Sequence, residues 1–238
     1  MRKIRDRVRM IRLFFRLVFE MLRNYPRLNH DIEHNFLICK KICKKIIKSA
    51  KIQLHTLFVD NVPKNESFLL VSNHRCFFDV VFLLASVEEA ISFVAAKELF
   101  RYPILRKYLK SIQCISLDRY SVDVKKLKES IATMKSTLEN GNLVLFPEGE
   151  CSYYDSHMKP FKKGGFLGLP SMEQLILPVY IKIEQLRNIG RWMIPRGDVV
   201  IHFGECFMPK DMPGEQTKAG DVATYVQNCI TRLQKSTN

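Results

Sequence analysis

The sequence has no CxxC pair, no Gly/Ser-rich linker, no internal repeat and no low-complexity tract. Its seven cysteines, at 39, 43, 76, 114, 151, 206 and 229, are odd in number and scattered. That argues against a zinc ribbon or a disulfide framework and fits a reducing compartment. A membrane-spanning helix needs ~20 predominantly apolar residues, and near the N-terminus Arg12 and Arg16 interrupt any such run. Arginines recur through this stretch instead of preceding an apolar core, so it does not read as a secretory signal. Acidic residues are scarce at the same end. Only Asp6, Glu20, Asp31 and Glu33 fall in residues 1–51, against 15 of the 38 Lys and Arg. This front end therefore carries +11 of the net +14, and the rest of the chain only +3. A cationic front on a nearly neutral body suits an anionic surface, either lipid or nucleic acid.

Core material is plentiful: 47% of the 238 residues are hydrophobic and 16 are phenylalanine, enough for one α/β domain with something small attached. Residues 3–23 read as a helix with Ile4, Val8, Ile11, Phe15, Val18 and Leu22 on one face, widened by Leu13, Phe14, Leu17 and Phe19. Arg5, Arg9, Arg12, Arg16 and Arg23 mark its cationic side. Asn24-Tyr25-Pro26 ends it, and Asn29 or Asp31 can cap a second helix. Ile32, Phe36, Cys39, Cys43, Ile46 and Ala50 line one side of that helix, with Lys40, Lys41, Lys44, Lys45, Lys48 and Lys51 towards the other. Such a tandem pair matches an interfacial membrane docking unit, and the alternative is that both apolar faces pack on the protein. Residues 1–51 are thus expected to dock the chain peripherally on the cytoplasmic face of a membrane, ahead of a domain at 52–238.

From residue 52 onward, apolar strand-like runs at 52–59, 67–72, 91–95, 112–117, 142–146, 175–182 and 198–203 alternate with helical patterns. The helices are expected at 78–88, 98–110, 122–139, 164–172 and 219–234. The alternation predicts an α/β fold with a largely parallel central sheet flanked by helices.

The chemistry concentrates in Asn73-His74-Arg75-Cys76-Phe77-Phe78-Asp79, between a strand and a helix. If a helix begins near Cys76, one turn brings Asp79 under the His74 imidazole, as a base and its orienting carboxylate. The alternative is a pair of capping residues beside a surface histidine. His55 and Asp60 share the spacing but sit on a strand run, where five residues at ~3.3 Å each separate them by roughly 16 Å. Arg119 ends the 112–117 run, where a guanidinium suits a phosphate or carboxylate, or else forms a surface pair with Asp118. Phe146-Pro147-Glu148-Gly149 breaks a strand sharply and leaves Glu148 at the sheet edge, or is simply a turn.

Taken in order, Asn73-His74 with Asp79, Leu117-Asp118-Arg119, Phe146-Pro147-Glu148-Gly149 and Leu177-Pro178-Val179-Tyr180-Ile181 resemble the four motif blocks of glycerolipid acyltransferases. They look specifically like those of bacterial-type 1-acyl-glycerol-3-phosphate acyltransferases. Lys97-Glu98-Leu99 and Phe161-Lys162-Lys163-Gly164 are similar to that family too, and the likeness covers about residues 60–205. The basic helix pair resembles the membrane-docking helices of some members. The resemblance implies that His74 is the general base for an acceptor hydroxyl, oriented by Asp79. Arg119 would bind the acceptor phosphate, and Asn73, Arg75, Lys97, Glu148 and Gly149 would complete the substrate site. The donor would be acyl-CoA or acyl-carrier protein and the acceptor a lysophospholipid. Direct attack on the thioester would require no cofactor, metal or covalent acyl-enzyme.

One departure stands out. After Phe-Pro-Glu-Gly the family usually continues Thr-Arg-Ser, whereas this chain has Glu150-Cys151-Ser152, losing an arginine expected to hold phosphate. Arg119, Lys162 or Lys163 could compensate; otherwise the acceptor carries a different head group. Cys76 replaces a common serine and reads as a small residue, not as a nucleophile. Two rival readings are weaker. His30-Asp31-Ile32-Glu33-His34 matches an HxxEH zinc pattern, but its flanks are a basic surface rather than a buried helix. Nucleic-acid binding by the basic front end lacks any recognised motif, and the wide Phe, Leu and Ile faces suit acyl chains better.

Overall fold

The computed structural model describes residues 2–118, 124–152, 158–169, 173–188, 193–213 and 218–237. Helices α1 (Arg2–Asn24) and α2 (Ile32–Ser49) precede strand β1 (Gln53–Leu57). There follow β2 (Phe68–Ser72), α3 (Phe78–Ser86), β3 (Ile91–Ala96), α4 (Pro103–Ser111), β4 (Ile115–Leu117), α5 (Val124–Asn140) and β5 (Asn142–Leu145). A hairpin of β6 (Leu175–Asn188) and β7 (Met193–Phe203) leads to α6 (Ala219–Thr237).

The seven strands form one sheet in the order β1-β7-β6-β2-β5-β3-β4, parallel throughout except for the β6–β7 pair. All five residues of β2 are buried, as expected of a strand covered on both faces. Alternate side chains serve the two faces. Phe68 and Leu70 join a core with α2 and α3, whereas Leu69 and Val71 join one with α5 and α6.

All seven expected strands are present, with altered limits. The first stops at Leu57 because Phe58 adopts a left-handed conformation, φ 54°. Gln113, φ 53°, delays β4 to Ile115. The helix expected at 98–110 is split into a 3-10 turn at Lys97–Arg101 and α4, which starts with Pro103 in its first turn. At the helix expected at 164–172, the described residues show a 3-10 turn at Lys163–Phe166 and no α-helix, and residues 170–172 lie outside the described residues.

The front end departs further from expectation. The apolar side of α2, with Phe36, Ile38, Ile42, Ile46 and Ile47, is buried against the body and belongs to the same core as Phe68, Phe82 and Ile201. The composition change near residue 51 therefore does not mark a gap in packing. Lys40, expected on the solvent side, is buried; it donates to the Val87 carbonyl at 2.6 Å and pairs with Glu88. The interfacial reading thus fails for α2, whose apolar face has a protein partner. Helix α1 instead has two apolar sides. Leu13 and Met21 pack inward together with Asp6 and Glu20, which pair with Arg196 and Lys45. Ile4, Val8, Ile11, Phe14, Phe15, Phe19 and Leu22 point outward, each 40–66% exposed.

Candidate active site

Helix α3 begins at Phe78, so the loop from Asn73 to Phe77 makes a tight return at the carboxyl end of β2. Asp79 sits in the first turn of α3, where the helix dipole favours a carboxylate. Its side chain is fully buried. Oδ2 accepts hydrogen bonds from the backbone N–H groups of Arg75, at 2.6 Å, and Cys76, at 2.8 Å. The same oxygen lies 2.8 Å from Nδ1 of His74. A buried charge this well supplied with donors is tolerable, whereas an unpaired one is not. The imidazole, 18% exposed, stacks on Phe146 at a centroid distance of 4.2 Å.

A second loop braces this one. Strand β5 neighbours β2, and its extension brings Glu148 beneath the histidine loop. Glu148 Oε1 accepts the His74 backbone N–H at 2.7 Å, while Oε2 accepts the Ser152 hydroxyl and, at 3.0 Å, the Lys159 N–H. In return, Ser152 N–H donates to the His74 carbonyl at 2.7 Å. Gly149 turns the chain with φ +74°, and a Cβ there would lie 2.9 Å from the Lys162 ammonium. The backbone crossing that results carries Cys151 to the imidazole: its sulfur stands 3.1 Å from Nε2.

Asp79, His74 and Cys151 therefore lie in series. Burial opposes a charged imidazole, but the Asp79 hydrogen bond, the Cys151 contact and the Asp79 charge outweigh it. Together they raise the His74 pKa to about 10. Cys76 differs. Burial and the adjacent Asp79 charge push its thiol well above the usual cysteine range, as befits an inert packing residue.

The remaining expected site residues divide in their roles. Asn73 is buried and clamps β6, donating to the Ile181 carbonyl at 3.0 Å and accepting from its N–H at 2.8 Å. Arg75 lines a small cleft with Glu148, Ser152, Tyr180 and Gln234. Glu148 positions the histidine loop through the three donors it accepts. Lys97 is ion-paired with Asp118 beside the ends of β3 and β4, where both line an open groove of about 770 Å³ with Ser116, Thr133 and Thr137. Arg119 lies outside the described residues. The decoy pair is separated: His55 lies 3.8 Å from Asp198, and Asp60 belongs to the following turn. In the HxxEH stretch, Asp31 caps α2 and His30 precedes it, so the two histidines do not share a helix face. Cys151, Phe146 and Ser152 were not expected as site residues. No local signal marks Cys151, because its closeness to His74 is created by the crossing of two loops.

A family model described as Acyltransferase matches residues 53–182, more than half of the chain and the whole of this constellation. A 1-acyl-sn-glycerol-3-phosphate acyltransferase of Streptococcus pneumoniae is 26% identical over 182 residues, covering 75% of this chain and 65% of that protein. One from Helicobacter pylori is 30% identical over 127 residues, 51% of this chain and 53% of the relative. The chain thus spans about two-thirds or less of the length of the curated relatives it matches. The crystal structure of the 1-acyl-sn-glycerophosphate (LPA) acyltransferase PlsC from Thermotoga maritima superposes with a TM-score of 0.80 at 24% identity. It covers 99% of this chain and 97% of its own, and so shows the shared fold. With the family match running from β1 into β6 across the histidine–aspartate loop and its glutamate brace, the chain belongs to the acyltransferase family.

Proposed function

We propose that this chain moves a fatty acyl group from an acyl thioester to the free hydroxyl of a lysophospholipid, with 1-acyl-glycerol-3-phosphate as the favoured acceptor. The observation that carries this reading is the buried Asp79 carboxylate on Nδ1 of His74, which turns Nε2 towards the site edge beside Cys151. Nε2 takes the proton of the acceptor hydroxyl, whose oxygen attacks a thioester carbonyl, and the departing thiolate recovers the proton. Asp79 holds the ring orientation and stabilises the transient imidazolium. Holding acceptor and thioester against one base supplies the proximity contribution. The names of the Streptococcus and Helicobacter relatives support the phosphate-bearing acceptor. Arg75 and Lys162, the latter above the Gly149 turn, are the cationic side chains offered for that phosphate. Arg119 shares this role if it follows the family motif.

We assign the outward face of α1 to a lipid surface. Its exposed Phe14, Phe15 and Phe19 enter the acyl boundary, while the neighbouring exposed Arg5, Arg12, Arg16 and Arg23 meet anionic head groups. The cytoplasmic leaflet is the proposed surface, because it carries the anionic lipids that attract such a rim. Among the described residues no helix is long and apolar enough to cross a membrane, so one-sided docking is the proposed mode.

Cys151, in place of the family's usual arginine, together with Glu150, which is held by Lys159, favours a second acceptor class: lysolipids without a phosphomonoester. Thioester consumption measured against a panel of lysophospholipids, with acyl-CoA and acyl-carrier protein as alternative donors, tests both. Product from 1-acyl-glycerol-3-phosphate, abolished in His74→Ala, is expected. No acyl transfer to any acceptor would sink the reading.

A further inference from the structure

Two guanidinium groups meet where α1 contacts β7, and they share one carboxylate. Arg196 Nη2 donates to the buried Asp6 of α1. Arg9, one turn further along the helix, donates through Nη2 to the carbonyl of Ala50 just after α2. The two cations act on each other. Burial and the neighbouring Arg196 charge lower the Arg9 pKa, and Asp6 offsets them only in part. A guanidinium has five N–H donors, yet among the described residues each of these two bonds through Nη2 alone, and Arg196 Nε is buried with no acceptor. The acids nearest Arg196 on the hairpin are engaged elsewhere: Asp198 lies 3.8 Å from His55, and Glu184 accepts the Asp198 N–H at 2.9 Å. Both arginines remain partly open to solvent.

We propose that Arg9 and Arg196 form a discrete site for the head-group phosphate of an anionic membrane lipid. The inference rests on the reading of α1 as the lipid-facing element, and it adds a saturable site to the diffuse charge of that helix. Phosphate fits by charge and by shape. Two cations against one carboxylate leave one positive charge to be neutralised, and planar guanidinium forks hold phosphate oxygens in pairs. Position selects a lipid over a soluble ion. Arg5, Arg9 and Arg12, at i, i+4 and i+7, share one flank of α1. That flank adjoins the outward face carrying Phe15 and Phe19, so with these side chains in the acyl boundary Arg9 stands at head-group level. Arg196 reaches the same flank from a different element, opposite Gln185 of β6. A phosphate between the two would therefore tie the hairpin to α1 at the membrane surface. Strand β6 is also the one that Asn73 clamps at Ile181, so the histidine loop is held by a strand fixed relative to the bilayer.

Sedimentation with phosphatidylcholine vesicles, with and without phosphatidic acid, tests the site. One diffuse positive charge near an anionic surface is worth about 5-fold in affinity, and Arg23→Gln, at the far end of α1, should lose about that much. Arg9→Gln removes the same charge together with its fork. It should lose more than ~10-fold on vesicles containing phosphatidic acid, and little on phosphatidylcholine alone. Arg196→Lys keeps a cation against Asp6, and so the fold, but not the fork. It should bind phosphatidic acid vesicles more weakly than Arg23→Gln although its net charge is unchanged, and it should unfold at the wild-type temperature without lipid. Arg9→Gln losing no more than Arg23→Gln, or Arg196→Lys binding at wild-type strength, would overturn the proposal. Displacement from the vesicles by inorganic phosphate at fixed ionic strength would assign the site to a soluble anion and overturn it too. Replacing Phe14, Phe15 and Phe19 by Ala separates the two readings. Wild-type binding in that variant removes α1 docking and the phosphate site together. Weakened binding there, with Arg9→Gln no worse than Arg23→Gln, removes the phosphate site alone.

Discussion

The backbone N–H of His74 donates to Oε1 of Glu148 at 2.7 Å, which ties the loop after β2 to the loop after β5. Neither residue's contribution is visible from its own segment. Glu148 is 1% exposed, and its two oxygens accept from His74, Ser152 and Lys159.

Glu148→Gln replaces one of those acceptors by an NH₂ group facing a donor. An unsatisfied buried polar group costs about 1–3 kcal/mol. We expect a loss of that order in urea unfolding, accompanied by reduced kcat as the histidine loop loosens. An unchanged unfolding midpoint would show that the brace carries no energy.

The ordering role of Asp79 predicts a graded series. His74→Ala should abolish turnover. Asp79→Asn, which leaves the ring oriented by an amide, should lower kcat by roughly 10²–10⁴ with a smaller change in KM. His55→Ala should keep wild-type rates, since His55 faces Asp198 at the far edge of the sheet. Steady-state kinetics on the three proteins, with circular dichroism to confirm folding, checks this.

The raised His74 pKa makes a stability prediction with a definite sign. The imidazolium form is favoured in the folded chain, to about 10 against an ordinary 6.5. Its contribution is therefore complete below pH ~6.5 and is lost as pH rises through about 10. Denaturant unfolding at pH 7, 8, 9 and 10 should show wild type losing more stability than His74→Ala. Parallel curves for the two proteins would contradict it.

The exposed aromatic side chains of α1 can be tested without harming the fold. Burying a Phe side chain is worth ~1.5–3 kcal/mol. Phe14, Phe15 and Phe19 together changed to Ala should therefore weaken sedimentation with anionic vesicles by at least about 1,000-fold, with thermal stability unchanged. Vesicle binding at wild-type strength would remove α1 as the docking element. Deleting residues 1–50 is a poor substitute, because it also removes α2 from the core.

A core position on α2 should behave oppositely. Phe36 is fully buried, and Phe→Ala at such a site costs about 3–5 kcal/mol. Phe36→Ala should lower the unfolding midpoint sharply and leave the vesicle affinity of the folded fraction unchanged. A variant as stable as wild type would show that α2 is loosely held.

Much of this was legible in the chain itself. Apolar runs punctuated by helical patterns determined the α/β class, the seven strands and the largely parallel sheet, because strand and helix periods are written into side-chain order. The His74–Asp79 turn was legible as one of two alternatives, since a strand end, a short loop and a helix start allow the two side chains to meet. The partner of an apolar face is not so written. Periodicity presents Phe15 and Phe36 alike as hydrophobic residues on basic helices, yet one faces outward and the other is fully buried in the core. Amphipathicity measures the asymmetry of a helix and not what covers it. The same reason hides the contacts that Cys151 and Glu148 make with His74, from 77 and 74 residues away, through the adjacency of β2 and β5. Local sequence determined which residues could act as base and orienting acid. Strand order alone decided which thiol stands against that base, because long-range pairing is set by how the sheet closes and not by any neighbour in the chain.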